Sequence, residues 1–143
     1  MTHIPDTLRE QVTQRAGGLC EYCHARQVIL IKLEVDHIMP LSAGGITTLD
    51  NLCLACRHCN GFKQSRQSAI DPDSGARLPL FNPRTDRWRD HFRWDTDSIR
   101  LIGLTPTGRA TISLLGINRN EILISRSVWA ENDWHPPPED TQS

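Results

Sequence analysis

The stretch that decides the fold of this chain begins with Cys20-Glu21-Tyr22-Cys23 and ends with Cys56-Arg57-His58-Cys59-Asn60. Two Cys-x-x-Cys pairs in a chain without secretory features are more typical of zinc ligands than of disulfides. Four thiolates give a closed tetrahedral site, which is structural rather than catalytic. We therefore predict a zinc site made of Cys20, Cys23, Cys56 and Cys59, and we interpret the remaining Cys53 as a small core residue.

The composition limits the kind of protein that this chain can be. It has 143 residues, of which 38% are hydrophobic, and a formal net charge of -1. This length suits one domain with an appendage, and the near-neutral charge means that any nucleic-acid binding depends on a local basic patch. The first six residues lack the basic and apolar regions of a signal peptide, and no apolar run is long enough to span a bilayer. We expect a cytoplasmic protein without membrane partners.

The residues around the cysteine pairs predict a short series of elements. A first helix begins at Asp6, buries Leu8, Val12 and Ala16, and ends at Gly17-Gly18. The β-branched run Val28 to Val35 predicts a strand, and residues 39–50 contain the Pro and Gly of a loop. Residues 51–56 predict a second strand, and residues 60–68 a helix. Strand, loop, strand and helix form a ββα unit with the polar residues at its bends.

The remainder of the chain predicts an extension. The Pro-, Gly-, Ser- and Asp-rich segment 71–83 predicts a linker loop between a module at 1–70 and an extension at 84–131 that packs on it. Within the extension we expect a hairpin around residues 95–98, a helix from Thr105-Pro106 to Leu115, and a last helix to about Trp129. Asn118 and Glu121 resemble a capping box for that last helix. Residues 132–143 are expected to be a disordered tail.

Arg and Trp alternate in residues 84–94, and this pattern has two interpretations. Arg84 and its neighbouring arginines could form a strip that binds a nucleic-acid backbone, with Trp88 or Trp94 stacking on bases. The interleaved aspartates cancel most of that charge, so we favour the alternative in which Trp88, Phe92 and Trp94 form the core on which the extension folds onto the ββα unit.

Four polar residues between the cysteines predict hydrolytic chemistry. Asp36 offers an anionic oxygen and Asn60 a neutral carbonyl oxygen, a pair that suits Mg²⁺ or Mn²⁺ together with waters and a substrate phosphate. His37 points to the other side of the strand, where a neutral imidazole can take a proton from water. Asn51 could accept a hydrogen bond from the other ring nitrogen of His37 and fix its tautomer, as a carboxylate does in serine hydrolases.

The combined pattern resembles the HNH endonuclease family. The residues that carry the resemblance are Cys20-x-x-Cys23, Glu34-x-Asp36-His37-Ile38-x-Pro40, Gly44-Gly45, Asn51-Leu52 and Cys56-x-x-Cys59-Asn60-x-x-Lys63. The third motif position is often His in this family, whereas here it is Asn60. The resemblance covers about residues 8–68, and it implies a ββα-metal, treble-clef-like core with a structural zinc site of four cysteines. With the hairpin and two helices predicted for the extension, the expected fold class is α+β.

The resemblance also implies an activity. His37 would be the general base, Asn51 would position it, and Asp36 and Asn60 would bind the catalytic divalent cation, giving products with 5′-phosphate and 3′-hydroxyl ends. The substrate would be double-stranded DNA, contacted at phosphates by Lys63, Arg57 and Arg66. An RNase would use the same residues, and the oligomeric state stays open. The alternative from another class is a non-catalytic, zinc-stabilised nucleic-acid-binding module, which would have no need for all four inner residues.

Overall fold

The computed structural model describes residues 3–26 and 32–141, which divide into two compact units. Unit 1 comprises Met1–Gln67 and Asn82–Thr85, and unit 2 comprises Ser68–Phe81 and Asp86–Ser143. The change of unit after residue 67 lies near the predicted boundary at residue 70. Residues 82–85 return to unit 1, which sequence composition did not indicate. In the described part of the chain, no helix combines the length and the apolar character needed to cross a membrane.

Among its described residues, unit 1 contains two helices and one small sheet. In chain order its elements are α1 (Asp6–Arg15), β1 (Leu33–His37), 3-10 turns at Leu41–Ala43 and Leu49–Asn51, β2 (Leu52–Cys56) and α2 (Arg57–Lys63). Strands β1 and β2 pair antiparallel, with His37 opposite Leu52 and Asp36 opposite Cys53. The hairpin thus brings the polar end of β1 next to the start of β2.

The core of unit 1 fixes which way β1 faces. Val12 of α1 packs with Ile4, Leu52 and Leu54, and Leu33 and Val35 of β1 pack against this cluster. Because side chains alternate along a strand, Glu34 and Asp36 lie on the opposite face of β1. The predicted first helix with Leu8, Val12 and Ala16 turned inward is confirmed.

Two predicted element bounds in unit 1 need correction. The helix predicted for residues 60–68 is Arg57–Lys63, because Cys56 caps it by accepting a hydrogen bond on Sγ from the Cys59 N–H. The predicted strand at 28–35 is described only from Leu33 and continues to His37. The rest of that prediction falls on residues 27–31, outside the described residues. The second cysteine pair therefore begins the helix.

Unit 2 consists of two hairpins and three helices within the described residues. Its elements are β3 (Ser68–Ile70), β4 (Arg77–Pro79), α3 (Trp88–His91), β5 (Phe92–Trp94), β6 (Leu101–Gly103), α4 (Pro106–Leu115), α5 (Asn120–Glu131) and a 3-10 turn at Pro138–Thr141. β3 pairs with β4, and β5 pairs with β6. The predicted hairpin around residues 95–98 and the predicted helix from Thr105-Pro106 to Leu115 are confirmed. The Thr105 side chain caps the start of α4, and Gly116 ends the helix in a left-handed conformation with a φ of 58°.

The predicted linker at 71–83 is wrong, since residues 68–79 form the first hairpin of unit 2. Asp71 at its turn is fully buried, and its carboxylate accepts two hydrogen bonds from the Arg109 guanidinium, at 3.0 and 2.9 Å. Arg109, followed by the Ser74 hydroxyl, holds the pKa of Asp71 well below its usual range. The turn residues that look like a flexible linker are thus held by an ion pair.

Two further predictions for the extension are wrong. Asn118 does not cap α5. Its side chain instead bonds the backbone N–H and C=O of Leu101 at 2.9 and 2.8 Å. The tail predicted to be disordered is structured as far as residue 141, where His135 is buried and contacts the Ser98 carbonyl at 2.8 Å.

The aromatic residues of unit 2 form a cluster. Phe92 is buried, and the Trp88 ring lies 5.4 Å from it and 6.1 Å from the Trp94 ring. These distances are typical of packed aromatic pairs. The three aromatic side chains therefore pack together within unit 2, whereas their predicted packing on the ββα unit stays a prediction.

Candidate functional site

The four paired cysteines form one cluster in unit 1. All four are buried, and their sulfur atoms lie within 4.8 Å of one another. A tetrahedral zinc ion with Zn–S bonds of about 2.3 Å needs sulfur atoms about 3.8 Å apart. The Cys23 and Cys56 sulfurs are separated by 3.8 Å. The spacing of the sulfurs therefore fits a zinc ion.

Backbone N–H groups point at two of the sulfurs. The Cys23 N–H lies 3.5 Å from the Cys20 Sγ, and the Cys59 N–H lies 3.4 Å from the Cys56 Sγ. Each pair thus has the same local geometry, in which the second cysteine donates to the first. Such donors stabilise a sulfur that carries negative charge, so this donor set suits thiolate ligands.

The buried thiols of this cluster resist ionisation on their own. Burial raises the pKa of Cys20 well above its ordinary value, and contacts with the other cysteines, first Cys20, raise that of Cys59. Thiolates at these positions need a compensating charge, and a bound cation deprotonates coordinating thiols. Cys53 stands apart from the cluster: its thiol faces the Tyr22 hydroxyl at 3.7 Å, and burial raises its pKa to about 12. It is a core residue, as predicted.

Glu21, which lies inside the first cysteine pair, connects the cysteine cluster to the sheet through hydrogen bonds. Its backbone N–H donates to the Leu54 carbonyl, and its carboxylate accepts from the Leu54 N–H, both at 2.8 Å. The other carboxylate oxygen forms an ion pair with Arg84. Arg84 is therefore part of the support of the cysteine cluster, which argues against the less favoured interpretation of this residue as part of a backbone-binding strip.

Four polar side chains meet between β1 and α2. The Lys63 ammonium donates to Asp36 Oδ2 at 2.9 Å and to the His37 carbonyl at 3.1 Å. The Asn60 amide nitrogen donates to Glu34 Oε1 at 3.3 Å. Asp36 and Asn60 thus belong to one polar face, and the contact with Glu34 leaves the Asn60 carbonyl oxygen for another partner. Glu34 is a member of this face that sequence reasoning did not assign a role.

His37 lies on the other face of β1 and is half-buried. Its Nε2 atom is 2.9 Å from the Thr47 hydroxyl. Thr47 belongs to the loop that joins β1 to β2, and it was not predicted to take part in the site. The sequence indicates only that a hydroxyl lies late in this loop, and Thr48 has one as well, so the sequence alone does not distinguish Thr47 from Thr48.

Asn51 has a different partner from the one predicted. Its Oδ1 accepts from the Met39 N–H at 2.8 Å, and its amide nitrogen donates to the carbonyls of Met39 and Ile46 at 3.0 and 2.9 Å. The predicted contact between Asn51 and the His37 ring is therefore corrected: Asn51 fastens the loop that follows β1. A Cβ at Gly45 would collide with the Met39 carbonyl and lie 2.9 Å from the Asn51 nitrogen, which explains glycine at this position.

The three predicted phosphate contacts differ in exposure. Arg57 and Arg66 are exposed on and just after α2, although Arg66 also donates to the Phe62 carbonyl at 3.1 Å. Lys63 is only 2% exposed. Its ammonium is buried against Asp36, an arrangement that does not favour the predicted contact of Lys63 with phosphate.

Comparisons with known proteins identify the central segment. Residues 20–66 match the family model described as HNH endonuclease. The type IV methyl-directed restriction enzyme EcoKMcrA of Escherichia coli (strain K12) is 35% identical over 54 residues, covering 34% of this chain and 20% of that protein. The chain thus spans about a fifth of the length of this relative. No solved structure gives a significant match. The similarity of this chain to the HNH endonuclease family therefore lies in residues 20–66.

Proposed function

We propose that this chain is a metal-dependent endonuclease that hydrolyses phosphodiester bonds of double-stranded DNA. The match of residues 20–66 to the HNH endonuclease family carries the proposal, because this segment contains every residue of the candidate site. The relative is named as a restriction enzyme, which favours DNA as the substrate. We also infer that β1, β2 and α2 form a ββα-metal unit supported by the cysteine cluster, and that this cluster holds structural zinc.

The polar face between β1 and α2 provides the ligands for a divalent cation. Asp36 would contribute a carboxylate oxygen, and Asn60 would contribute its side-chain carbonyl oxygen. The amide nitrogen of Asn60 donates a hydrogen bond to Glu34. Hard oxygen ligands of this kind favour Mg²⁺ or Mn²⁺ over softer metals. When bound, such a cation stabilises negative charge on the phosphate and on the leaving oxygen.

His37 acts from the opposite face of β1 as the general base. Thr47 holds the ring through Nε2, so Thr47 takes the positioning role that was predicted for Asn51. His37 removes a proton from the water that attacks the phosphorus in line with the 3′ oxygen. The products carry a 5′-phosphate and a 3′-hydroxyl.

Exposed cations of α2 and its C-terminal end supply the contacts with the DNA backbone. Arg57 and Arg66 are exposed within ten residues of each other. With a net charge of -1, the chain attracts DNA through such local contacts rather than through its overall field. Binding should therefore weaken as salt concentration rises.

The test is relaxation of supercoiled plasmid in Mg²⁺ or Mn²⁺. We expect nicking by the wild type, loss of nicking in EDTA, and loss of nicking in His37→Ala with its zinc content unchanged. His3→Ala is the matched control, because His3 is exposed and lies outside the HNH domain. Equal nicking by wild type and His37→Ala would show a contaminating nuclease. DNA retarded on a gel without cutting by any variant would refute the nuclease and indicate a binding module.

A further inference from the structure

The most unusual charged residue of unit 1 is Lys63, because it is buried. Lysine is almost never fully buried unless it is paired. Lys63 is 2% exposed, and its ammonium bonds both the Asp36 carboxylate and the His37 carbonyl. It thus joins α2 to the two consecutive β1 residues that carry the proposed metal-binding and base functions. A residue with these contacts cannot also reach a DNA phosphate without leaving its partners.

The position of Lys63 changes the charge that a divalent cation would meet. Asp36 is the anionic ligand of the proposed pair, and Asn60 is neutral. Lys63 lies 2.9 Å from Asp36 Oδ2 and cancels the charge of that carboxylate. Glu34 leaves this face with one net negative charge, and one oxygen of its carboxylate accepts a hydrogen bond from the Asn60 amide. The protein alone therefore offers a weak electrostatic attraction to a divalent cation at this face.

We propose that Lys63 makes the metal site of this chain dependent on DNA, so that a divalent cation binds tightly only together with a substrate phosphate. This inference rests on the proposed function. A DNA phosphate adds an anionic oxygen to Asp36 and Asn60, and its charge offsets the ammonium of Lys63. Lys63 acts through Asp36 and is therefore a positioning residue. The consequence is that the site takes up its cation only with substrate present.

Binding of Mn²⁺ followed by electron paramagnetic resonance tests the proposal without relying on activity. The zinc-loaded chain carrying His37→Ala is titrated with Mn²⁺, alone and with a short DNA duplex that this variant leaves uncut. We expect the duplex to tighten Mn²⁺ binding at least tenfold, a size consistent with one added charge near the ion. In Lys63→Met on the same background, we expect Mn²⁺ to bind roughly tenfold more tightly without DNA.

The chain provides a matched control, since its other lysine, Lys32, is exposed. Lys32→Met should bind Mn²⁺ like the parent, and Lys63→Arg, which keeps the charge, should retain the dependence on DNA. Mn²⁺ affinity that is the same with and without duplex in the parent would overturn the role of Lys63, and that measurement needs no variant that could misfold. Equal affinities of folded, zinc-loaded Lys63→Met and Lys32→Met would also overturn it. Absence of Mn²⁺ binding under both conditions would overturn the proposed function as well.

Discussion

Replacement of Asn51 by alanine tests whether this residue fastens the loop after β1. The side chain makes three hydrogen bonds to main-chain atoms of Met39 and Ile46. A net hydrogen bond contributes about 0.5–1.5 kcal/mol, and solvent-accessible bonds lie at the lower end. Three such bonds sum to about 1.5 kcal/mol. We expect Asn51→Ala to favour local opening of the loop by this amount.

Hydrogen exchange at the Met39 amide measures this opening directly, because that N–H donates to Asn51 Oδ1. About 1.4 kcal/mol corresponds to a tenfold change, so exchange at Met39 should become roughly tenfold faster. Asp50→Ala is the matched control, since Asp50 is the exposed neighbour in the same 3-10 turn. Wild-type protection of Met39 in Asn51→Ala would refute the argument that these bonds hold the loop. Unchanged protection together with lost nicking would return Asn51 to the role of a partner of the imidazole.

Three further predictions concern the proposed general base His37, the cysteine cluster and unit 2. Thr47→Val removes a hydrogen bond of about 1 kcal/mol to the imidazole of His37, so it should lower the nicking rate about fivefold. Thr48→Val, which changes an exposed neighbour, should leave the rate unchanged when plasmid nicking is compared at equal DNA binding. Cys20→Ser should abolish the zinc content measured by mass spectrometry, while the tryptophan fluorescence of unit 2 stays native. Zinc retained by this variant would contradict the proposed set of four cysteine ligands. Because the pKa of Asp71 is lowered in the folded state, its ion pair stabilises unit 2 above the ordinary aspartate pKa of about 4, and this contribution is lost as the pH falls below that value. Thermal unfolding followed by tryptophan fluorescence at pH 7 and pH 3 should therefore show a smaller pH dependence in Asp71→Asn than in Asp73→Asn. The Asp73 carboxylate also lies 3.1 Å from Arg109, but it is largely exposed, and an exposed ion pair contributes little to stability.

The sequence predicted the parts of this protein that follow from short-range spacing. Two Cys-x-x-Cys pairs specify a four-sulfur cluster, because each pair places its sulfurs in one turn, and the structure brings all four together. The helix from Thr105 to Gly116 was equally predictable, since proline after a capping threonine begins a helix and glycine with positive φ ends it.

Long-range polar contacts were not predictable in the same way. The linker composition of residues 71–83 concealed a hairpin, because the partner that fixes Asp71 is 38 residues away on α4. Asn118 resembles a helix cap in sequence, but the backbone of Leu101 satisfies its side chain instead. In both cases a polar side chain with several possible local roles is assigned by an element distant in the chain.

Lys63 shows why the orientation of α2 could not be deduced from hydrophobicity. Hydrophobic periodicity would place Phe62 inward and Lys63 in solvent, yet Phe62 is 37% exposed and Lys63 is 2% exposed. The inversion follows from β1: the packing of Leu33 and Val35 against the α1 core turns Asp36 towards α2. A partly buried carboxylate without a partner is costly, so the facing helix contributes a cation rather than an aromatic ring. In the proposed mechanism, the same pairing weakens the attraction of Asp36 for a divalent cation, and a substrate phosphate would supply the missing negative charge.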